Sequence, residues 1–351
     1  MRTPRGGGGG DAGATAGEGP GDPGMRLAPS PHIHAPDSTP RIMWTVNATL
    51  VPVVGAAVWH FGVSALLVVL AAVAGAALVE ALFDAPEKLA DGSAVITGVL
   101  LGLTLPSGMP LWMSALGGAF GVGFGKLIFG GLGQNVFNPA LLGRAFLQAA
   151  FPTAITTWPA LDGGRAAVHA SNLAPPFLSA GGADAVTAAT PLGLMKFEAQ
   201  TTDLTPLLLG DTTGSLGETA AVVILLCGAW LALENYLDWR IPVSIFLTVG
   251  LLSGVLHALD PSLPGPHFML FSGGLVLGAV YMATDMVTSP VTPKGAWIFG
   301  AGIGVVTVLI RLWGGLPEGV MYAILFMNAL VPFIDRMTRP RVFGARAGEA
   351  A

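Results

Sequence analysis

The chain has 351 residues, of which 52% are hydrophobic and 11% charged. Soluble domains carry about a quarter charged residues, so a soluble globular domain is excluded. Nucleic-acid binding is excluded as well, since no basic patch with interleaved aromatics occurs. The net charge of −5 points to no partner, because most charges fall at the ends of apolar runs.

Residues 1–40 read as a disordered arm: Gly6 to Gly10 and the Gly and Pro up to Gly24 leave nothing apolar to bury. The arm has no apolar core segment of a cleavable signal, and its bias ends near Met25, an alternative start. His32 and His34 stand two apart without a third ligand nearby, and no metal site is expected.

A bilayer-crossing helix needs roughly 20 apolar residues. Candidates follow in order at about 42–61, 63–83, 93–105, 111–129 and 136–151. The third is short and stops at Pro106, the pattern of a broken or re-entrant helix. Residues 152–217 form a loop far longer than ordinary connections, a length that marks functional or disordered segments. Further spans are expected at about 218–236, 241–259, 268–286, 296–313 and 319–333, before an Arg-rich tail over 336–351.

The fold class is therefore an all-α polytopic membrane protein with about ten transmembrane helices. A weak internal repeat divides them into two inverted five-helix halves, 41–151 and 218–335. Gly98-Val99-Leu100-Leu101-Gly102 resembles Gly274-Leu275-Val276-Leu277-Gly278, each followed by a Pro break, at Pro106 or Pro290. Each break leads into a Gly-rich helix, ending at Phe129-Gly130-Gly131-Leu132 or Trp313-Gly314-Gly315-Leu316. Inverted repeats with discontinuous helices are a transporter architecture.

Lys and Arg set the orientation. With both termini cytoplasmic, Arg41, Lys88, Lys126, Arg240, Lys294, Arg336, Arg339, Arg341 and Arg346 lie inside. Only Arg165, Lys196 and Arg311 then lie outside, and the long loop faces outward.

Several polar residues stand out. Arg144 lies inside the fifth span, where a charge is costly unless paired or facing a cavity. Asp285, with Thr288, lies where the eighth span meets its Pro break. A cation or cofactor site and a simple helix cap are both open there. Arg144 and Asp285 are the candidate coupling residues. Glu80 and Glu234 read as solvated helix-end carboxylates. Asn138 before Pro139 reads as a backbone-satisfying cap, and Cys227 as a small core thiol.

In the loop, Asp184-Ala185-Val186-Thr187-Ala188-Ala189-Thr190-Pro191-Leu192-Gly193 reads on chemistry alone as a small-residue turn before a helix, with Thr187 or Thr190 as N-cap. The stretch also resembles the flavinylation motif of the D subunit of the Rnf electron-transport complex and its relative, the B subunit of the Na⁺-translocating NADH:quinone reductase. The resemblance extends to Ser30-Pro31-His32-Ile33-His34, to the segment from Asp37 to Trp44, and to Gly130 to Asn135 with Phe137-Asn138-Pro139-Ala140. It includes Gly217-Glu218-Thr219 and the run from Thr284 to Gly295.

That resemblance implies FMN bound through a phosphoester to Thr190, with Asp184 and Thr187 at earlier motif positions. Thr187 stands where Ser is common and Ala188 where Gly is common. It implies a subunit of an ion-translocating ferredoxin:NAD⁺ oxidoreductase in the bacterial inner membrane, an electron-transport flavoprotein and translocase. Implied partners are the A, B, C, E and G subunits and a flavin transferase. No residue is assigned a catalytic role. A second, non-covalent flavin and the coupling ion, Na⁺ or H⁺, stay open. The alternatives are a small-solute channel or secondary transporter, since fold alone does not choose, and the B subunit of the Na⁺-translocating NADH:quinone reductase. A channel has no need of a flavin acceptor.

Overall fold

The computed structural model describes residues 37–340, apart from 85, 160–165, 167, 177–187, 219 and 220. The expected N-terminal arm, Asp184, Thr187 and the tail beyond 340 lie outside the described residues.

The protein is an all-helical polytopic membrane protein. The first half holds α1 (Thr39–Phe61), α2 (Val63–Phe83), α3 (Ser93–Leu103), α4 (Leu111–Val122) and α5 (Pro139–Ala150). Three short helices follow in the long loop, α6 (Pro152–Thr156), α7 (Pro191–Glu198) and α8 (Leu204–Leu209). The second half holds α9 (Ala221–Leu233), α10 (Arg240–Leu259), α11 (Pro266–Phe271), α12 (Leu275–Leu277), α13 (Pro293–Trp313) and α14 (Val320–Thr338). Five of these, α1, α2, α10, α13 and α14, are long and apolar enough to cross a membrane unaided. The other expected spans are short or broken.

The two halves pack alike. α2 lies along α3 and α4, as α10 lies along α13, and α4 meets α5 as α13 meets α14. Glycine permits the approach in both. A Cβ at Gly75 would strike the backbone of Ala115, and one at Gly118 the backbone of Ala72. In the second half a Cβ at Gly300 would meet the Ile241 carbonyl at 2.7 Å. Small residues at helix crossings are how membrane helices gain packing contacts, since lipid supplies no hydrophobic drive between them.

Among the boundaries that differ from the sequence reading, three bear on the site. The fifth span starts at Pro139 rather than 136, because Asn138 caps it: its Oδ1 accepts from Ala140 N–H at 3.0 Å and Leu141 N–H at 3.2 Å. The fourth ends in a π-helical turn, Gly123–Leu127. The eighth is not continuous. It stops after α11, turns at Gly273 with φ +66°, restarts at α12 and passes into a second π turn, Gly278–Met282.

The chain sides can be followed through contacts. Residues 103–109 bond to the long loop: Gly217 N–H donates to Leu103 O at 2.6 Å, and Asn172 Nδ2 donates to Ser107 O at 2.9 Å and Met109 O at 2.8 Å. This is the loop face. On the opposite face Trp44 Nε1 donates to Ala90 O at 2.9 Å, and Asn138 Nδ2 to Met282 O at 3.1 Å.

Candidate functional site

The loop face carries a cleft of about 490 Å³ between α5, α7 and the segment leading into α14. Thr190 lies on its wall, half-buried, at the N-cap of α7. Its extended backbone (φ −75°, ψ 154°) and Pro191 at the first helical position start the helix, and its Oγ1 accepts from Gly193 N–H at 3.1 Å. Ala188, Ala189 and Gly193 leave the hydroxyl uncrowded, while Trp158 and Phe197 supply aromatic wall.

Arg144 rises from α5 into the same cleft. It is 7% exposed, and its Nη2 donates to Glu318 Oε2 at 2.9 Å. Its Nε–H is buried without an acceptor among the described residues. Glu218 also lines the cleft and accepts from Ser215 Oγ at 2.7 Å. The sequence reading met Glu218 only inside a family-like segment and missed Glu318. The available signal for Glu318 was a charge between Pro317 and Gly319 at the start of an apolar helix.

Behind the cleft lies the break between α11 and α12. Such a break frees backbone groups, which at membrane depth need partners from the protein. Fully buried Arg311 takes the carbonyl side, donating to Met269 O at 2.6 Å and Ser272 O at 2.9 Å. Glu318 takes the amide side, where its Oε1 accepts from Gly274 N–H at 2.6 Å. Lys196 ties α7 to the same place. Its Nζ donates to Ile310, Arg311 and Leu316 carbonyls at 3.2, 3.1 and 3.0 Å, which close the end of α13. Burial pushes the Lys196 ammonium below the usual lysine range.

A smaller cavity, about 100 Å³, opens toward the opposite face. Asp285 lines it and also folds the turn that follows. Its carboxylate accepts from Val287 N–H at 3.2 Å and Thr288 Oγ1 at 3.1 Å. Asp285 therefore folds the turn with its carboxylate and lines the cavity as well.

Lys126, in the first π turn, lines this cavity too. Glu80 is not solvated: it is wholly buried and ion-paired with Lys126, whose Nζ also donates to Ser93 Oγ at 2.6 Å. A helix-end position in sequence does not show that a neighbouring helix covers it. Cys227 is half-buried beside the core rather than inside it.

The structure therefore groups Thr190 and Arg144 in one cleft and puts Asp285 in another. Asp184 and Thr187 fall outside the described residues.

Residues 26–344 match the NQR2, RnfD, RnfE family. Among similar proteins is the D subunit of the proton-translocating ferredoxin:NAD(+) oxidoreductase complex of Clostridium ljungdahlii. It is 41% identical over 335 residues, 91% of this chain and 96% of that protein. The D subunit of the ion-translocating oxidoreductase complex of Stutzerimonas stutzeri is 42% identical, over 88% of this chain and 93% of that protein. The D subunit of the Na(+)-translocating ferredoxin:NAD(+) oxidoreductase complex of Acetobacterium woodii is 39% identical, over 91% and 95%.

Proposed function

This chain belongs to the NQR2, RnfD, RnfE family, and from that premise we propose that it is the D-type membrane subunit of an ion-translocating ferredoxin:NAD⁺ oxidoreductase complex. It carries covalent FMN on Thr190 and passes electrons in a process coupled to ion movement. The A, B, C, E and G subunits are its partners, and a flavin transferase matures it. It resides in the inner membrane with both termini cytoplasmic and the loop face outward.

The observation that carries the cofactor assignment is the setting of Thr190. A transferase needs an accessible hydroxyl among small residues, and the Ala188-Ala189-Thr190 edge of the cleft provides one. The cleft's 490 Å³ falls within the range of about 300–1,000 Å³ usual for cofactor sites. A phosphoester at the N-cap of α7 meets the positive end of the helix dipole. Arg144, with a buried donor left unpaired, lines the same cleft, and Trp158 and Phe197 are suited to a flat ring.

When bound, FMN supplies the electron-carrying chemistry. The chain's residues do the rest. Thr190 fixes the point of attachment, Lys196 pins α7 to the end of α13, and Glu318 and Arg311 hold the broken helix behind the cleft.

The relatives' names include both a proton- and a Na⁺-translocating complex, and the ion moved with this chain is proposed as Na⁺ or H⁺. The test of the cofactor assignment is direct. The purified complex is denatured, run on a gel and imaged for flavin fluorescence. The band of this chain should fluoresce, and Thr190→Ala should abolish the signal. A flavin mass adduct persisting on Thr190→Ala would overturn the assignment.

A further inference from the structure

The cleft holds one arginine whose bonding is incomplete. Arg144 has five N–H donors to place. One goes to Glu318, at 2.9 Å, and the Nε–H finds no acceptor among the described residues. A buried donor without a partner costs about 1–3 kcal/mol. The side chain is 9% exposed and lines the cleft that also holds Thr190. Its position is not free, because Glu318 grips it while also accepting the Gly274 N–H at 2.6 Å. The guanidinium is thus held by one edge against a wall, with donors to spare, in the same cleft as the hydroxyl proposed as the attachment point.

The charges around it matter. Glu318 and Glu218 face the cleft from the segment before α14 and the segment before α9, and Glu198 of α7 lies at its edge. Arg144 is the cation among the described residues that line this cleft, while Arg311 lies behind it, close enough to Glu318 and Glu218 to interact with both. An electron added to a group in this space therefore meets carboxylates on several sides and one positive charge in the wall itself.

We propose that Arg144 is the cation that orients the group carried on Thr190 and tunes its redox potential, donating to an anionic oxygen or ring acceptor of that group while Glu318 fixes its geometry. The inference rests on the covalent-flavin reading. Its chemistry is charge compensation: a guanidinium close to a site that gains negative charge on reduction favours the reduced form. Its removal shifts the midpoint potential to more negative values. The role needs a cation at this point, so Lys keeps part of it and Gln does not.

The experiment is a spectroelectrochemical titration of the flavin on this chain in the purified complex, with flavin content read separately by gel fluorescence. Arg144→Gln should keep covalent flavin and disfavour its reduced form by tenfold or more, about 59 mV for one electron. Arg144→Lys should recover much of that shift. Glu318→Gln, which leaves the arginine uncompensated, should move the potential the other way. Where Arg144→Gln does not assemble, the double variant Arg144→Gln/Glu318→Gln, with neither charge stranded, decides, and its potential should lie negative of that of Glu318→Gln alone. An assembled Arg144→Gln variant whose potential equals that of its Arg144-containing parent, with full flavin content, overturns the proposal and leaves the flavin assignment standing. Wild-type protein without fluorescence on its band overturns both.

Discussion

The buried pair of Glu80 and Lys126 offers the sharpest energetic test of the helix bundle. Glu80 is wholly buried near the end of α2, and Lys126 is 3% exposed in the π turn after α4. Lys126 also donates to Ser93 Oγ, whose own partner is Asp91, at 2.6 Å. Removing one partner strands a charge in low dielectric. That costs about 3–5 kcal/mol, whereas replacing both by apolar groups is often neutral or stabilising by about 1–4 kcal/mol. Lys126→Met alone should therefore be strongly destabilising, with a loss of melting temperature on the order of 10 °C. Lys126→Met combined with Glu80→Leu should recover most of it. Cys227 is the only cysteine of the chain and is half-buried, so a thiol-reactive dye reports unfolding in detergent without engineered labels. If the single and double variants melt together, no charge is stranded in the single variant, and the pair is solvated rather than buried.

Other outcomes follow from the same contacts. Lys196→Met removes three bonds that anchor α7; a net loss of about 2 kcal/mol should speed amide exchange over 191–198 by roughly thirtyfold, and unchanged exchange would show that α7 docks by packing alone. Gly118→Val should prevent assembly or sharply lower its yield, because α2 backbone occupies the space; normal yield would mean α2 and α4 can part without cost. A reporter active only in the cytoplasm should work when fused after Ala351 and be silent near Ala180, and the reverse pattern would invert the orientation. Asp285→Asn should keep assembly and flavin but lose ion transport per electron; unchanged transport would reduce Asp285 to its turn-folding bonds with Val287 and Thr288.

Much of the fold was legible because hydrocarbon thickness imposes length. α1, α2, α10, α13 and α14 stand where unbroken apolar runs of about 20 residues predicted them. The stop of α3 was legible as well, since Pro106 marks it and the helix ends just before, at Leu103. The gap inside 268–286 was not. Ser272-Gly273-Gly274 sits between two apolar stretches that together have the length of one span, and the groups that make the break tolerable are distant in sequence. Arg311 lies 39 residues from Ser272, and Glu318 lies 44 from Gly274. A local reading has no access to such partners. The same limit explains Glu80, whose cation is 46 residues away.

The site divides in the same way. Thr190 was legible as a cap and as a motif position, because both signals are local: the hydroxyl, Pro191 after it and the Gly193 N–H it accepts from. Arg144 was legible as an anomaly, a charge within an apolar span. What it does there required Glu318, 174 residues on.

That pairing joins the two halves. Glu318 opens α14 in the second half and holds α5 of the first through Arg144, while its other oxygen closes the amide end of the α11–α12 break. On the opposite face the direction reverses: Asn138, the cap of α5, donates to Met282 at the end of the second π turn. Each half therefore supplies the polar group that satisfies a backbone interruption in the second half's broken helix, at both of its ends. Arg144 shares Glu318 with Gly274, and Gly274 begins the helical segment that runs to Met282, so a run of bonded groups joins the wall of the loop-face cleft to the far end of the broken helix.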